Sequence, residues 1–348
     1  MRPSRPGSRT RRTLASSGTG GTDNRDDTAG TDDDDRTGHE DNGGEGARDE
    51  GFWTLTTRRL LHDRAAVASS GIVLFFILLA LFAPVVAQLT GHGVYHQYSS
   101  GLTSDGLPRA PDSTFPLGTD DLGRDLLVRI AYGARPALLI GFSAAFIAVI
   151  LGGIAGICAG FYGGVIDAVI SRIFEILLAI PLLFIAICLA SVLSYGPIHI
   201  GPIQVHQGVG LIAVLVGLFA LAPVGRVIRG HVRTIRERTY VEASLSLGTS
   251  SAHTIWVDVL PNVTPQLLVY TTLLIPINIL AAASLSYLGV GITPPQADWG
   301  SMIATAQNYY REAWWFLLFP VMALVTLTIS FSVLGDSVRD AISPRRTR

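Results

Sequence analysis

Few residues in this chain could do covalent or metal chemistry, and their placement argues against it. All 26 basic residues are arginine. Without lysine there is no amine for a Schiff base. There is likewise no G-x-x-x-x-G-K-[ST] loop to hold the β- and γ-phosphates of ATP. Cys158 and Cys188 each lie inside an apolar run, the setting of small buried hydrophobes rather than of a disulfide or a metal site. The eight histidines include no H-E-x-x-H or comparable ligand spacing. His199 and His206 share one loop, which is weak evidence for a metal. The expectation is a chain with no catalytic residues, no metal ligands and no cofactor of its own: not an enzyme.

What remains is two polar features set among apolar runs. The first is 238–248, R-T-Y-V-E-A-S-L-S-L-G, running on to Leu260-Pro261. Val241 with Leu245, and Ala243 with Leu247, make i,i+4 apolar pairs of a short helix. Gly248 supplies a left-handed stop. Ser250 or Ser251 caps a second helix whose apolar face is Ile255, Trp256, Val259 and Leu260, and Pro261 ends it. Shape alone fits an ordinary helical loop as well as a docking element. The second feature is Asn278, near the middle of an apolar stretch that also holds Pro276. An amide at that depth faces another helix or a wet cavity. Helix–helix hydrogen bonding and the lining of a translocation pathway, with Ser284 further along, are both open.

The elements that must position these residues are apolar segments near the ~20-residue length of a bilayer crossing. The chain has 348 residues, 49% of them hydrophobic, and a formal net charge of -1. Six spans are expected, at about 65–89, 136–161, 173–195, 209–227, 266–288 and 314–334, giving an all-α integral membrane fold. Residues 1–51 are rich in Gly, Thr, Asp and Arg, and such a segment cannot bury enough surface to offset its ordering entropy. It reads as a disordered cytoplasmic tail. Trp53, Arg58, Arg59 and Arg64 then form an interfacial anchor. In the polar segment 88–135, Thr119 or Asp120 caps an amphipathic surface helix with Leu122, Leu126, Leu127 and Ile130 on its apolar side. A short loop at 162–171 and a turn-rich loop at 194–208 follow, and Pro181 kinks the third span. Gly152, Gly156 and Gly160 align on one helix face, expected to serve close helix packing, with a substrate path along the stripe as the second reading. The organisation is therefore a tail (1–51), a first span with an extracytoplasmic segment (52–135), and a five-helix core (136–348) with the polar loop at 229–265. Six spans put both termini on one side. With that side cytoplasmic, only Arg109, Arg124, Arg129, Arg135 and Arg311 fall outside, as the positive-inside rule requires.

Glu242-Ala243, Gly248 and Leu260-Pro261 resemble the EAA loop of ABC-importer permeases, with Ser244 where a second Ala is usual and Asp258 at a usually apolar position. The runs L-G-T-D-x-x-G-R-D (117–125), Y-G-A-R (132–135), S-Y-L-G-x-G (286–291), P-P-x-x-x-W-G-x-M (294–302) and L-G-D-x-x-R-D-x-x-x-P-R (334–345) resemble the C-type permease of peptide and nickel ABC importers. The resemblance covers about 55–348. It implies a type I importer permease in the cell membrane, with the loop as a coupling helix on a cytoplasmic ATPase. Tyr240, Glu242, Ala243, Leu247, Gly248, Leu260 and Pro261 would couple to that ATPase, Glu242 through backbone and Arg contacts. The implied partners are a second, B-type permease, two ATP-binding subunits and an extracytoplasmic substrate-binding protein, with no nucleic acid. Di- or oligopeptides are the implied substrate, nickel chelates sharing the same motifs. The alternative, a stand-alone secondary transporter or channel, would ordinarily carry ionisable groups mid-membrane, and the span centres here carry none.

Overall fold

The computed structural model describes residues 60–342 apart from 194, 197, 201 and 202. The expectations for the tail 1–51, for Trp53, Arg58 and Arg59, and for the ending beyond 342 lie outside the described residues.

Helix α1 (Arg64–Leu81) starts at Asp63, whose carboxylate accepts from the Ala65 amide. After a break at Phe82 it continues as α2 (Ala83–Thr90), with Pro84 in the first turn. Then come α3 (Leu126–Tyr162), α4 (Gly164–Ala179) and α5 (Leu182–Leu193). A short antiparallel ribbon of β1 (Ile198–Ile200) and β2 (Ile203–Val205) places His199 opposite Gln204 in the otherwise helical fold. The chain proceeds through α6 (Val209–Arg236), α7 (Thr239–Ser246), α8 (Ser251–Thr254) and a π-helical turn (Ile255–Val259) into α9 (Leu260–Tyr287). It ends in α10 (Trp299–Ala306) and α11 (Trp314–Ile342).

Among the described residues five helical stretches are long and apolar enough to cross a membrane, and the pair α4 and α5, bent by 77° at its break, makes a sixth if it is counted as one broken span. Pro181 sits at that break, where its missing N–H ends one helix and opens the next. The sharp break replaces the continuous kinked span expected there.

Two boundaries differ from the sequence expectation. The second crossing begins at Leu126 rather than near 136, so the surface helix and the span are one helix and Pro136 lies inside it. A boundary at 135/136 therefore falls within α3. Its cap is Asp125, whose side chain accepts from the Leu127 and Val128 amides. Thr119 and Asp120 fold the preceding loop instead, Asp120 accepting from the Leu122 and Arg124 amides. Asp125 stands immediately before Leu126-Leu127-Val128, the first turn of the helix, and its carboxylate is placed to accept the free amides there. The expected loop at 162–171 contracts to Gly163, at φ +66°, and α4 starts at Gly164.

The core is built around α3 lying parallel to α6. Cβ atoms added at Gly152, Gly156 and Gly160 would each lie 2.6 Å from a carbonyl oxygen of α6, those of Leu221, Gly225 and Arg229 in turn. The matching four-residue steps give the parallel direction, and the bare glycines let the two backbones touch. Gly141 faces Ile279 of α9, and Gly133 faces Trp299 of α10. Trp299 donates its indole N–H to the Ile130 carbonyl at 3.0 Å.

Candidate functional site

The polar loop leaves α6 at one end of the bundle. Helix α7 is pinned by Val241, which is fully buried, with Leu245 half-buried one turn on. Tyr240, Ala243 and Leu247 then face outward, Leu247 at 87% exposure. Gly248 follows at φ +84°, a conformation that costs a glycine nothing. The reversal lets the Thr249 amide donate to the Ser244 carbonyl at 3.3 Å. Ser250 caps the next helix by accepting from the His253 amide.

Beyond that cap the structure departs from the expected second helix. In the π-helical turn the Leu260 amide donates back to the Ile255 carbonyl, five residues earlier. This shift in register brings Pro261 into the first turn of α9, where its missing N–H costs little. Pro261 thus lies just past the π-helical turn inside one continuous helical stretch, Ser251–Tyr287, instead of closing a short helix. The same turn buries Val259 and leaves Ile255 and Leu260 half-buried, while Trp256 stands 69% exposed beside Val257. Trp256 therefore does not share the packed face assigned to it. Asn262 ties the two helices, donating to the Asp258 carbonyl at 2.6 Å and to the Tyr240 hydroxyl at 3.4 Å. The outcome is four exposed apolar side chains, Tyr240, Leu247, Trp256 and Val257, on a polar loop, and large apolar side chains exposed together on such a loop are what a docking site needs.

Behind α7 lies a polar cleft of about 590 Å³, walled by Tyr162, Gly163, Asp167, Arg229, Arg233, Arg236 and Glu242 among others. Arg229 grips Asp167 through two N–H groups, Nη2 to Oδ2 at 2.7 Å and Nε to Oδ1. Ser171 adds a hydroxyl donor to Oδ1 at 3.1 Å. Arg236 lies over the Phe161 ring. Glu242 is exposed, and among the described residues its carboxylate makes no hydrogen bond or ion pair. The Arg contacts expected of it are absent. Arg229 is already committed to Asp167, and burial of Val241 turns its neighbour toward open cleft.

The residues singled out for a pathway do not converge. Asn278 is 1% exposed and its Nδ2 has no hydrogen-bond partner among the described residues, and Pro276 is buried on the same helix. Ser284 is on the exposed side of α9, donating its hydroxyl to the Leu280 carbonyl. It opens on a groove of about 320 Å³ with Leu280, Tyr287, Leu288 and Gly300.

At the opposite end of α3, sequence reasoning missed a buried charged network. Asp120 pairs with Arg124 at 2.6 Å and Arg129 at 3.2 Å, and His92 meets the capping Asp125 at 2.6 Å. Burial, helped by the adjacent Asp120 charge, raises the Asp121 carboxyl above its ordinary range. Asp298 caps α10 by accepting from the Ser301 amide, and burial raises it too. The i,i+4 spacing of Asp120 and Arg124 was the available signal.

Residues 148–348 match the family described as binding-protein-dependent transport system inner membrane component. The chain belongs to that family. Residues 51–102 also match the N-terminal TM domain of oligopeptide transport permease C. This inner membrane component is 36% identical to the oligopeptide transport system permease protein OppC of Salmonella typhimurium, over 84% of this chain and 91% of the relative. It is 33% identical to the di/tripeptide transport system permease protein DppC of Pseudomonas aeruginosa, again over 84% and 91%. The dipeptide permease DppC of Bacillus subtilis is 36% identical over 84% of this chain and 85% of its own length. The membrane component is a multi-pass transport subunit and not an enzyme. Membership of a binding-protein-dependent system sets aside the stand-alone transporter or channel.

Proposed function

We propose that this permease component forms half of the membrane pathway of an ATP-driven importer for di- and oligopeptides. The loop 237–259 is its dock for a separate ATPase. One observation carries the reading: Tyr240, Leu247, Trp256 and Val257 stand outward on a polar loop between two spanning helices, held by the Gly248 reversal and the π-helical turn. The arginine bias supports a cytoplasmic position for that loop, where an ATPase could meet it, and for both termini with it. The working assembly then needs a second, B-type permease, two ATP-binding subunits and an extracytoplasmic binding protein. Closure of the ATPase pair moves the coupling loops, and the permease pair alternates between two states that each bind those loops differently. The peptide class follows from the names of the relatives, all at 33% identity or more. The test is uptake of a labelled tripeptide into proteoliposomes holding the assembled complex. Uptake should require ATP and should be lost in Leu247→Asp with the chain still inserted. ATP-independent uptake would overturn the reading.

A further inference from the structure

We propose that the Asp167–Arg229 fork is the joint through which the docking loop moves the broken span. The inference rests on the reading of loop 237–259 as the ATPase dock, and concerns how movement leaves that loop.

Helix α4 is the first half of the bent crossing and is lightly held. Phe174 is its one fully buried side chain, and it fits where Gly225 of α6 lacks a Cβ, which would overlap the ring. Two turns nearer the loop, Asp167 in the first turn of α4 receives both N–H groups of Arg229. Among the described residues this is the one ion pair that joins two membrane-crossing segments. The partners are 62 residues apart in sequence. Arg229 lies two turns before the end of α6, which runs as one helix to Arg236 and then into α7. A displacement of α7 thus acts on the end of α6, and the fork hands it to α4.

The far side of α4 shows where the displacement goes. At Ile180 the backbone leaves the helix in an extended conformation, and α5 departs at 77°. Helix α5 buries only Ala186 and Leu193 among its described residues. Helix α4 therefore follows the loop while α5 lags, and the angle between them changes. A bidentate guanidinium–carboxylate pair suits this task because it fixes orientation as well as distance. The pair is partly solvated, 31% and 20% exposed at the side chains, so solvent screening limits what its charge attraction adds to stability. Its geometry is then better explained by transmission than by holding the fold together.

The experiment uses the assembled complex in proteoliposomes, scoring ATP hydrolysis and tripeptide uptake together for Asp167→Arg, Arg229→Asp, the double exchange, and the milder Asp167→Asn. The single variants should keep the ATPase subunits and hydrolyse ATP, yet import at least about tenfold less peptide per ATP. The double exchange should recover most of that loss. Single variants that import normally would overturn the proposal. So would single variants that shed the ATPase, or a double exchange that fails to recover, since either makes the pair a scaffold rather than a joint. If the unaltered complex holds no ATPase at all, it is the docking reading that fails.

Discussion

Gly156→Ala tests the packing that sets the whole bundle. The added Cβ would lie 2.6 Å from the Gly225 carbonyl oxygen, 3.0 Å from Ile228 Cβ and 3.1 Å from the Arg229 amide nitrogen. Carbon–oxygen contacts between backbones settle near ~3.3 Å or more, so α3 and α6 must part locally by several tenths of an ångström. The obstacle is backbone, which cannot rotate away. The neighbouring glycine contacts at Gly152 and Gly160 loosen with it, and such gaps forfeit about a quarter to a half of each contact. Gly230→Ala is the matched control, because nothing lies within 4 Å of its Cβ position inside α6. Both changes gain the same helix preference of about 1 kcal/mol, so their difference isolates overpacking, about 1–3 kcal/mol. Unfolding of each variant in mixed detergent micelles, followed by helical circular dichroism, measures it. Gly230→Ala should exceed wild type in stability and Gly156→Ala should fall below Gly230→Ala by that margin. Equal stability of the two would refute the close parallel contact.

At Gly248, φ is +84° with open space around the Cβ position, so substitution costs only backbone strain of roughly 1–2 kcal/mol for Val and less for Asn. ATPase retention should rank Gly, then Asn, then Val, as read by co-purification. Trp256→Ala removes an exposed ring and should leave stability unchanged while weakening ATPase docking by at least about 2 kcal/mol, measured by titrating purified ATPase onto the permease. Asn278→Leu removes a buried amide with an orphaned N–H and should stabilise by about 1 kcal/mol; destabilisation in the same unfolding assay would mean that the amide has a native partner. For Asp298, burial raises the folded-state pKa, so the folded chain holds this proton more tightly than the unfolded chain. Its contribution to stability falls as pH climbs from the ordinary carboxylate range through the raised value. Asp298→Asn keeps an oxygen for the Ser301 amide and should be more stable than wild type at neutral pH, with the advantage shrinking as pH drops toward about 4.

The parts of this fold that were legible in the sequence are those set by local chemistry. Apolar runs of bilayer length gave the crossings, Gly248 gave the reversal, Ser250 gave the cap, and the glycines of α3 gave a smooth face. Misreadings came where two local signals competed. Asp120 and Asp125 can both cap by residue type, and Asp120 is taken up instead by the Leu122 and Arg124 amides of its own turn. Pro261 can end a helix or be carried within one, and a π-helical turn, which no residue type announces, lets the helix run on through it. That same turn aims Trp256 outward. The Asp167–Arg229 fork was illegible for another reason: its partners meet only after a broken span and a ribbon bring α4 and α6 side by side.

The account stands or falls on what touches the apolar face of the loop. A photo-reactive side chain placed at position 247, in membranes that hold the native assembly, reports this directly. The account predicts a cross-link to an ATP-binding protein, lost when Gly248→Val turns the loop away. Cross-links only to lipid, or to the same ATP-binding protein regardless of the Gly248 substitution, would contradict it.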